Sequence, residues 1–267
     1  MTKRTLDNRG TRVVTAGTVK IGGTNPIAVQ SMCATHTSDI ERTLWQLGIL
    51  QEAGADLIRV AVDSKADVDA LREIRKSTTA NLVVDLQENY RLAAQVAPFV
   101  QKFRYNPGHL HHHQKDVSVA DKVKFLVDTA GEHDCAIRIG VNFGSIDPQL
   151  REQHDPKEAA LASAFSHVEM IEKLGFKNFV LSLKSSDPFS VVEINKIFAE
   201  QYPLVPIHLG VTEAGLLPDG EIKSRIAFEQ LLAQGIGDTL RVSLTLPDEH
   251  KYEEIRIGSA IVEDVRA

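Results

Sequence analysis

Residues 52–86 read EAGADLIRVAVDSKADVDALREIRKSTTANLVVDL. Two runs rich in Val, Ile and Leu, at 57–61 and 82–86, flank residues 66–77, in which apolar side chains recur at helical spacing. Gly54 precedes the first run and supplies a residue that tolerates positive φ at the end of a helix. The stretch therefore predicts a strand, a helix and a second strand.

The same unit recurs along the whole chain. Short apolar runs predict eight strands, at 27–30, 57–61, 82–86, 103–106, 137–142, 179–184, 207–212 and 240–244. Helical periodicity follows each of them, at 40–53, 66–77, 90–100, 117–133, 157–174, 188–202, 222–234 and 252–265. Eight strand–helix units in 267 residues predict an α/β fold, a TIM (β/α)8 barrel. The alternative, an open doubly wound sheet, normally has fewer strands, and no G-x-G-x-x-G opens the first helix.

The segment ahead of the first barrel strand predicts a β-hairpin. Residues 12–15 and 19–21 alternate polar and apolar side chains around Ala16-Gly17. A hairpin at this point would plug the N-terminal end of the barrel. No Ser, Gly or Pro-rich linker interrupts the chain, so we expect one domain, with the hairpin in residues 1–25 and the barrel in 26–267.

Composition excludes several classes of protein. Thirty basic and 36 acidic side chains give a net charge of −6, which argues against a nucleic-acid surface or a membrane anchor. The first residues are polar and no run of eighteen apolar residues occurs, so we expect a cytoplasmic protein. Cys33 and Cys135 are the only cysteines, which excludes a disulfide framework, a Cys₄ zinc site and a thiolate-ligated iron–sulfur cluster made by this chain alone.

Polar side chains gather at the carboxyl ends of the predicted strands, where barrel enzymes have their active sites. Within a strand they are separated by an even number of residues, so they share one face. They are Arg59, Asp85, Gln87, Arg104, Asn106, Arg138, Asn142, Ser182, Lys184, His208, Thr212, Arg241 and Ser243. One polar face per strand, repeated around a barrel, predicts a polar pocket.

The charges of this set predict an anionic ligand. Four arginines and a lysine would repel one another in a cavity of low dielectric constant. The planar fork of arginine suits phosphate or diphosphate oxygens, and the asparagines and serines add neutral donors. The alternative is that each arginine points outward and pairs with a helix carboxylate.

Two carboxylates lie at the same end of the barrel. Asp85 is a candidate to hold an arginine or to bind substrate hydroxyls. Glu213, in the loop after the seventh strand, is a candidate proton donor or acceptor, or else a carboxylate at a helix N-terminus. His208 is expected to be a hydrogen-bonded barrel residue rather than a catalyst.

The remaining reactive side chains are not predicted to carry chemistry. The loop after the fourth strand carries His109 and the adjacent His111, His112 and His113. Three adjacent histidines point in different directions, which predicts a solvated loop and no metal site. Cys33 has no recognisable base, so an inert thiol is expected, and Cys135 is expected to be buried.

Seven motifs in order resemble the barrel domain of the bacterial 4-hydroxy-3-methylbut-2-enyl diphosphate synthase family, which acts in the methylerythritol phosphate route to isoprenoids. They are PIAVQSM at 26–32, EAGADLIRV at 52–60, RYNPG at 104–108, RIGVNFGS at 138–145, LSLKSSD at 181–187, HLGVTEAG at 208–215 and GIGDTLRVSL at 235–244. The resemblance runs from about residue 11 to residue 244.

The resemblance implies an oxidoreductase that opens 2-C-methyl-D-erythritol 2,4-cyclodiphosphate reductively, with loss of a hydroxyl, using electrons delivered through a [4Fe-4S] cluster. It implies that Arg59, Arg104, Arg138, Lys184 and Arg241 grip the diphosphate, helped by Asn106, Asn142 and Ser243. It also implies that Asp85 contacts the carbon skeleton and that Glu213 is the acid for the leaving hydroxyl. A ferredoxin or flavodoxin donor and a homodimer are further implications.

The chain departs from the family at two points. VDLQEN at 84–89 places Gln87 where the family has a histidine, and glutamine can form hydrogen bonds but cannot titrate. The family also continues into a small domain whose three cysteines and a glutamate hold the cluster, whereas this sequence ends at Ala267.

Three hypotheses follow from these departures. The chain is a split enzyme whose cluster domain is supplied by a separate chain, or a diverged diphosphate-binding barrel without redox chemistry, such as one with chemistry like that of dihydropteroate synthase. The third is that the sequence is a fragment of a longer protein.

Overall fold

The computed structural model describes residues 10–267. Within that range ten strands form: β1 (Val14–Ala16), β2 (Val19–Ile21), β3 (Ala28–Met32), β4 (Leu57–Ala61), β5 (Leu82–Asp85), β6 (Lys102–Tyr105), β7 (Ala136–Asn142), β8 (Phe179–Lys184), β9 (His208–Leu209) and β10 (Thr239–Leu240). β3 to β10 pair in parallel in the order β8-β7-β6-β5-β4-β3-β10-β9. A parallel bridge between Leu181 and Ile207 joins the two edges of this sheet, so the predicted eight-stranded barrel is confirmed.

Helices lie between successive barrel strands, and a last helix follows β10. They are α1 (Ile40–Glu52), α2 (Lys65–Ser77), α3 (Ala93–Val96), α4 (Val119–Glu132), α5 (Pro148–Gln153), α6 (Pro156–Lys173), α7 (Pro188–Gln201), α8 (Asp219–Leu232) and α9 (Tyr252–Arg266). Several begin at a side chain that accepts a hydrogen bond from the first turn: Asp39, Ser64, Ser118, Asp155 and Asp187. None of the helices in residues 10–267 is long and apolar enough to cross a membrane.

The predicted hairpin is present and packs against the N-terminal end of the barrel. β1 and β2 pair antiparallel, with Val14 opposite Ile21. Val14, Ala16 and Ile21 are fully buried against an apolar layer of inward-facing strand residues, Ala28, Leu57, Val83, Ala136 and Val180. Residues 1–9 lie outside the described residues, and the division of the domain at residue 25 stays a prediction.

Two features between the barrel strands differ from the sequence-based expectation. The helix expected at 90–100 is two 3₁₀ turns, Tyr90–Leu92 and Ala97–Phe99, on either side of the four-residue α3. Pro98 stands inside the expected helix and has no N–H to donate, which limits its length. A short α5 precedes α6, which the sequence pattern did not indicate.

The last two barrel strands are shorter than expected, at 208–209 and 239–240. The chain keeps its place in the barrel beyond them, because the Arg241 N–H donates to Leu209 O and the Thr212 N–H donates to Ser185 O. The side chains that follow these two short strands therefore still reach the carboxyl end.

Candidate active site

The carboxyl half of the barrel interior is polar, above the apolar layer that contacts the hairpin. Even-numbered spacing along each strand turns the same polar side chains inward that the sequence pattern singled out. Outward-facing neighbours such as Val60, Val84 and Ile139 are buried against the helices. The arginines of this set therefore do not point outward to helix carboxylates, which excludes that alternative for β4, β6 and β7.

Asp85 holds the two central arginines. Its Oδ1 accepts from Arg104 Nη1 at 3.0 Å, and its Oδ2 lies 3.1 Å from Arg59 Nη1. Burial alone would raise the pKa of this carboxyl, but Arg104, Arg59 and Arg138 outweigh burial and hold the pKa well below its usual range. Asp85 is therefore an ionised anchor whose two oxygens are both engaged by guanidinium groups.

Gly140 makes room for Arg104. Arg104 Nη2 donates to Gly140 O at 2.9 Å, and a Cβ placed on Gly140 would lie 2.1 Å from Arg104 Nε. When the Asn142 amide is oriented so that both its nitrogen and its oxygen form hydrogen bonds, its oxygen accepts from Arg104 Nη2 at 3.3 Å. The strand β7 thus sets where the guanidinium of Arg104 lies.

Arg138 and Lys184 form no salt bridge with any residue that the structure describes, although Asp85 attracts Arg138 over a longer distance. Arg138 is 1% exposed, and its Nε and Nη1 have no hydrogen-bond partner among the described residues. Lys184 is also buried and contacts the bare backbone of Gly210, where a Cβ would lie 2.4 Å from Nζ. Burial, together with neighbouring cations, lowers the pKa of both side chains well below the ordinary values. Arg138 therefore presents unsatisfied donors to the interior.

Sequence reasoning missed Lys102, which lies below the arginines. Its side chain is fully buried and spans the barrel from β6 to β3, where Nζ donates to Gln30 Oε1 at 3.3 Å. Burial and the nearby Arg138 and Arg59 lower its pKa well below the usual range. The signal was present, because Lys102 precedes Arg104 by two residues and so shares its inward face, but the strand was predicted to begin at Phe103.

His208 corrects an expectation. It is a fully buried barrel residue, but neither ring nitrogen has a hydrogen-bond partner within residues 10–267. Burial and the cations Lys184, Arg138 and Lys102 lower its pKa well below the ordinary value, so the ring is neutral. The expected burial is therefore present, and the expected hydrogen bond is absent from the described residues.

Arg241 meets a carboxylate that comes from outside the barrel. Its Nη2 lies 3.6 Å from Glu254 Oε2, and its Nε is buried without a partner among the residues that the structure describes. Glu254 belongs to α9 and is fully buried. Sequence reasoning did not identify Glu254, because a helix residue reaches this site only through tertiary packing.

Asn106 and Gln87 lie at the mouth under a histidine. His109 Nδ1 donates to the backbone oxygen of Gln87 at 2.7 Å, which leaves Nε2 to accept from Asn106 Nδ2 at 3.3 Å. Gln87 adopts a positive φ of 26°. The expected solvated loop is therefore correct for the exposed His112 and His113 but not for His109, which fixes two site residues.

The other predicted site residues differ in accessibility. Ser182 is buried and donates to Ile139 O at 3.3 Å, while Ser243 is half-buried. Glu213 is exposed in the loop after β9, with a positive φ of 51°. The structure gives Glu213 no contact with the buried cations, so its role as an acid stays a prediction.

A cavity of about 320 Å³ opens beside the arginines at the ends of β3 and β4. Met32, Cys33, Ala61, Gln87 and Arg241 are among the residues that line it. Burial raises the pKa of the Cys33 thiol to about 12, with Asp248 adding to the rise, so the thiol is neutral. Met32 Sδ accepts from Arg59 Nη2 at 2.7 Å, which turns that guanidinium toward the cavity wall.

Positive charge exceeds negative charge in this half of the barrel. Among the described residues, six cationic side chains converge on it: Arg59, Lys102, Arg104, Arg138, Lys184 and Arg241. Two carboxylates face them, Asp85 and Glu254, and Glu254 is shared with Lys251. Buried cations without counter-ions are costly, so the arrangement fits a polyvalent anion that supplies the missing charge.

The described residues do not fit an iron–sulfur cluster. Cys33 and Cys135 are buried on different elements, and Cys135 Sγ contacts the backbone oxygens of Ala97 and Val100. No group of three His, Cys, Asp or Glu side chains in residues 10–267 is arranged to hold a metal ion. A cluster that serves this site is therefore held by other residues.

Comparison with known proteins identifies close relatives. The sequence model described as the GcpE TIM-barrel domain matches residues 11–259. The chain is 57% identical over 260 residues to the 4-hydroxy-3-methylbut-2-en-1-yl diphosphate synthase (flavodoxin) of Rhodopirellula baltica, covering 96% of this chain and 68% of that protein. It is 40% identical to the protein of the same name from Actinobacillus succinogenes, covering 99% of this chain and 69% of that protein.

Solved structures with the same fold are more distant in sequence. The dihydropteroate synthase of Yersinia pestis superposes with a TM-score of 0.60 at 13% identity, covering 93% of this chain and 97% of that one. A truncated 3-deoxy-D-arabino-heptulosonate 7-phosphate synthase from Thermotoga maritima gives a TM-score of 0.60 at 15% identity, covering 95% and 90%. At these identities the likeness establishes the fold alone.

Proposed function

The chain belongs to the GcpE TIM-barrel family, and from that premise we propose that it acts as a 4-hydroxy-3-methylbut-2-en-1-yl diphosphate synthase whose barrel binds 2-C-methyl-D-erythritol 2,4-cyclodiphosphate. The observation that carries this proposal is the excess of buried cations with unsatisfied guanidinium nitrogens on Arg104, Arg138 and Arg241 within residues 10–267. A diphosphate supplies both the negative charge and the oxygen acceptors that these donors lack.

The proposed reaction is a reductive ring opening of the cyclic diphosphate. Two electrons and one proton enter, the ring carbon–oxygen bond breaks, the neighbouring hydroxyl leaves as water, and a carbon–carbon double bond forms. The cyclic diphosphate carries two negative charges and the open diphosphate carries three. A site with surplus positive charge therefore stabilises the charge that develops as the ring opens.

The residues divide into anchors and ligands in this proposal. Asp85 orients Arg59 and Arg104, so its carboxylate acts through them. Arg138 and Lys184, which are buried and form no salt bridge in the described part of the chain, bind the diphosphate most directly. Asn106, Asn142, Ser182 and Ser243 are the neutral donors, and Glu213 is the proposed proton donor to the leaving hydroxyl.

The electrons come from outside the barrel. The two relatives carry flavodoxin in their names, so flavodoxin is the donor that we propose in preference to ferredoxin. A [4Fe-4S] cluster, which would relay the electrons, is held in this proposal by a separate domain or chain. Dimerisation remains a proposal that follows from the same family.

Binding of the cyclic diphosphate, measured by isothermal titration calorimetry, tests the proposal. We expect one site per chain and an affinity that falls as sodium chloride is raised, because exposed parts of the site are screened. Lys184→Met should weaken binding about tenfold or more, since a hydrogen bond to a charged group is worth about 1.5–3 kcal/mol. Lys20→Met is the matched control, because Lys20 is exposed on the hairpin at the opposite end.

Turnover provides the second test. The purified chain should be colourless and should form product only when a cluster-bearing polypeptide and reduced flavodoxin are added. Absence of both binding heat and a rise in melting temperature with the cyclic diphosphate, in a folded sample, would falsify the proposal.

A further inference from the structure

We propose that Glu254 is a positioning residue of the anion site, which fixes the guanidinium of Arg241 toward the barrel mouth. The proposal rests on the function given above and adds to it a residue from the last helix. Glu254 lies outside the barrel, so it acts through Arg241 and does not touch the ligand.

Three hydrogen bonds hold the carboxylate of Glu254 in place independently of its ion pair with Arg241. Its Oε1 accepts from the Leu244 N–H and from Lys251 Nζ, both at 2.9 Å. Its Oε2 accepts from Ser31 Oγ at 2.8 Å. The side chain is fully buried, so it cannot exchange these partners for water.

These contacts join three elements at the carboxyl end of the barrel. Ser31 belongs to β3, Leu244 follows β10, and Lys251 immediately precedes α9 and also donates to Leu244 O at 2.8 Å. A buried carboxylate that accepts from three donors on three segments has a tightly defined position. The guanidinium of Arg241, which faces Glu254, is thereby held in a defined position as well.

Glu254 orients Arg241 without occupying all of its hydrogen-bond donors. The distance of 3.6 Å between Nη2 and Oε2 is that of an ion pair and exceeds a good hydrogen bond. The Nε of Arg241 is buried and has no partner within residues 10–267. The guanidinium therefore keeps donors for a phosphate oxygen while one edge is drawn toward α9.

The same arrangement occurs on the other side of the barrel. Asp85 engages Arg59 and Arg104 with both of its oxygens, and Glu254 engages Arg241 from the side of β10. Each buried carboxylate thus directs neighbouring arginines, whereas Arg138 has no such anchor in the described residues. Arg59, Arg104 and Arg241 thus add donors whose orientation is fixed before the anion binds.

A double-mutant cycle of Glu254→Gln and Arg241→Met tests the proposal. Dissociation constants for the cyclic diphosphate and for inorganic pyrophosphate are measured by calorimetry on the full chain. We expect Glu254→Gln to weaken binding about tenfold when Arg241 is present and less than about twofold when Arg241 is methionine. A role confined to stability would weaken binding equally in the two backgrounds, and that result would overturn the proposal.

Two further variants make the test decisive. Glu253→Gln is the matched control on the same helix, because Glu253 pairs with the exposed Arg256 and should leave binding unchanged. If Glu254→Gln does not fold, Ser31→Ala removes a single hydrogen bond to Oε2, and we expect a two- to fivefold loss that again requires Arg241.

Pyrophosphate separates the two proposals. If the wild type binds pyrophosphate but not the cyclic diphosphate, the proposed substrate is wrong, and the pyrophosphate cycle still decides whether Glu254 acts through Arg241. Equal losses in both backgrounds with pyrophosphate reject the positioning role whatever the substrate is.

Discussion

Asp85 shows how one residue determines the arrangement of its neighbours. Each oxygen of this buried carboxylate is engaged by a different arginine, so the position of Asp85 sets the positions of both guanidinium groups. The geometry therefore favours Asp85 as a holder of arginines, which is one of the two roles expected from the sequence. Contact with the carbon skeleton, which the resemblance implied, stays a prediction.

Gly140→Ala should weaken binding of the cyclic diphosphate about tenfold or more, because the new Cβ would lie 2.1 Å from Arg104 Nε and displace the guanidinium. The melting temperature should also fall, because displacing the guanidinium weakens its buried ion pair with Asp85. Titration calorimetry and thermal unfolding of the same sample measure both quantities.

Gly144→Ala is the control for this change. Gly144 lies just after β7, and no atom comes within 4 Å of the point that an alanine methyl would occupy there. Equal affinities of the two variants would show that the placement of Arg104 by β7 is unimportant for binding.

The inward-facing arginines were predictable because side chains alternate between the two faces of a strand. Spacing alone therefore places Arg104 and Asn106 on the same face of their strand. Lys102 needed only the correct strand start. Glu254 and His109 were not predictable, because their contacts depend on where a helix and a loop fold back, which no local pattern encodes.

At the scale of elements, the hairpin β1–β2 closes the barrel opposite the site. Its turn at Gly17, with a φ of 64°, lies against the loops before β5 and β6. Asn81 Oδ1 accepts from the Thr18 N–H at 3.2 Å, so the turn is tied to the barrel by a specific hydrogen bond.

Gly17→Ala should lower the free energy of unfolding by about 2–3 kcal/mol, from an unfavourable positive φ and from contact with Asn81 and Gln101 at 2.4 Å. Ligand affinity should not change, because the hairpin lies at the other end. Urea unfolding and calorimetry check the two halves of the prediction.

Gly54→Ala isolates the backbone contribution. Gly54 also has a positive φ, of 90°, but nothing lies within 4 Å of its Cβ position. We expect a loss of only about 1 kcal/mol. A loss as large as that of Gly17→Ala would contradict the packing role of the hairpin turn.

Element types were more predictable than element lengths. Apolar runs and helical periodicity located the eight barrel units, since both patterns follow from burial. The ends of β9 and β10 were overestimated because apolar residues continue past the last ladder pair. The expected helix at 90–100 was broken by Pro98, whose effect on a short segment the periodicity did not reveal.

For the whole molecule, charge is separated between surface and interior. The chain carries a net charge of −6, whereas the carboxyl half of the barrel gathers cations. Burial, with help from the neighbouring cations, lowers the pKa of Lys102, Lys184 and His208 well below their ordinary values. An anion bound beside these bases would raise their pKa values again and favour their protonated forms.

Binding of the cyclic diphosphate should therefore take up protons and become tighter as the pH falls from 9 to about 7. The phosphodiester groups of the ligand keep a constant charge over this range, so the protons go to the protein. Calorimetry in buffers with different ionisation enthalpies measures the uptake.

The effect of pH on the stability of the free protein follows from the direction of these pKa shifts. A base whose pKa is lowered by folding holds fewer protons in the native than in the unfolded state, so the free protein gains stability as the pH rises toward the ordinary lysine pKa. Lys102→Met should raise the melting temperature and reduce proton uptake. Uptake that is unchanged in this variant would assign the protons to other groups.

The apolar layer above the hairpin has a consequence for kinetics. Val14, Ala16 and Ile21 are fully buried, so the lower end of the barrel, as far as residues 10–267 describe it, is closed to solvent. Ligand, displaced water and product then pass through the mouth one after another. While a ligand occupies the mouth, the side-chain protons of Lys102 exchange with bulk water only as fast as the ligand leaves. The exchange rate of these protons therefore measures the residence time of the ligand.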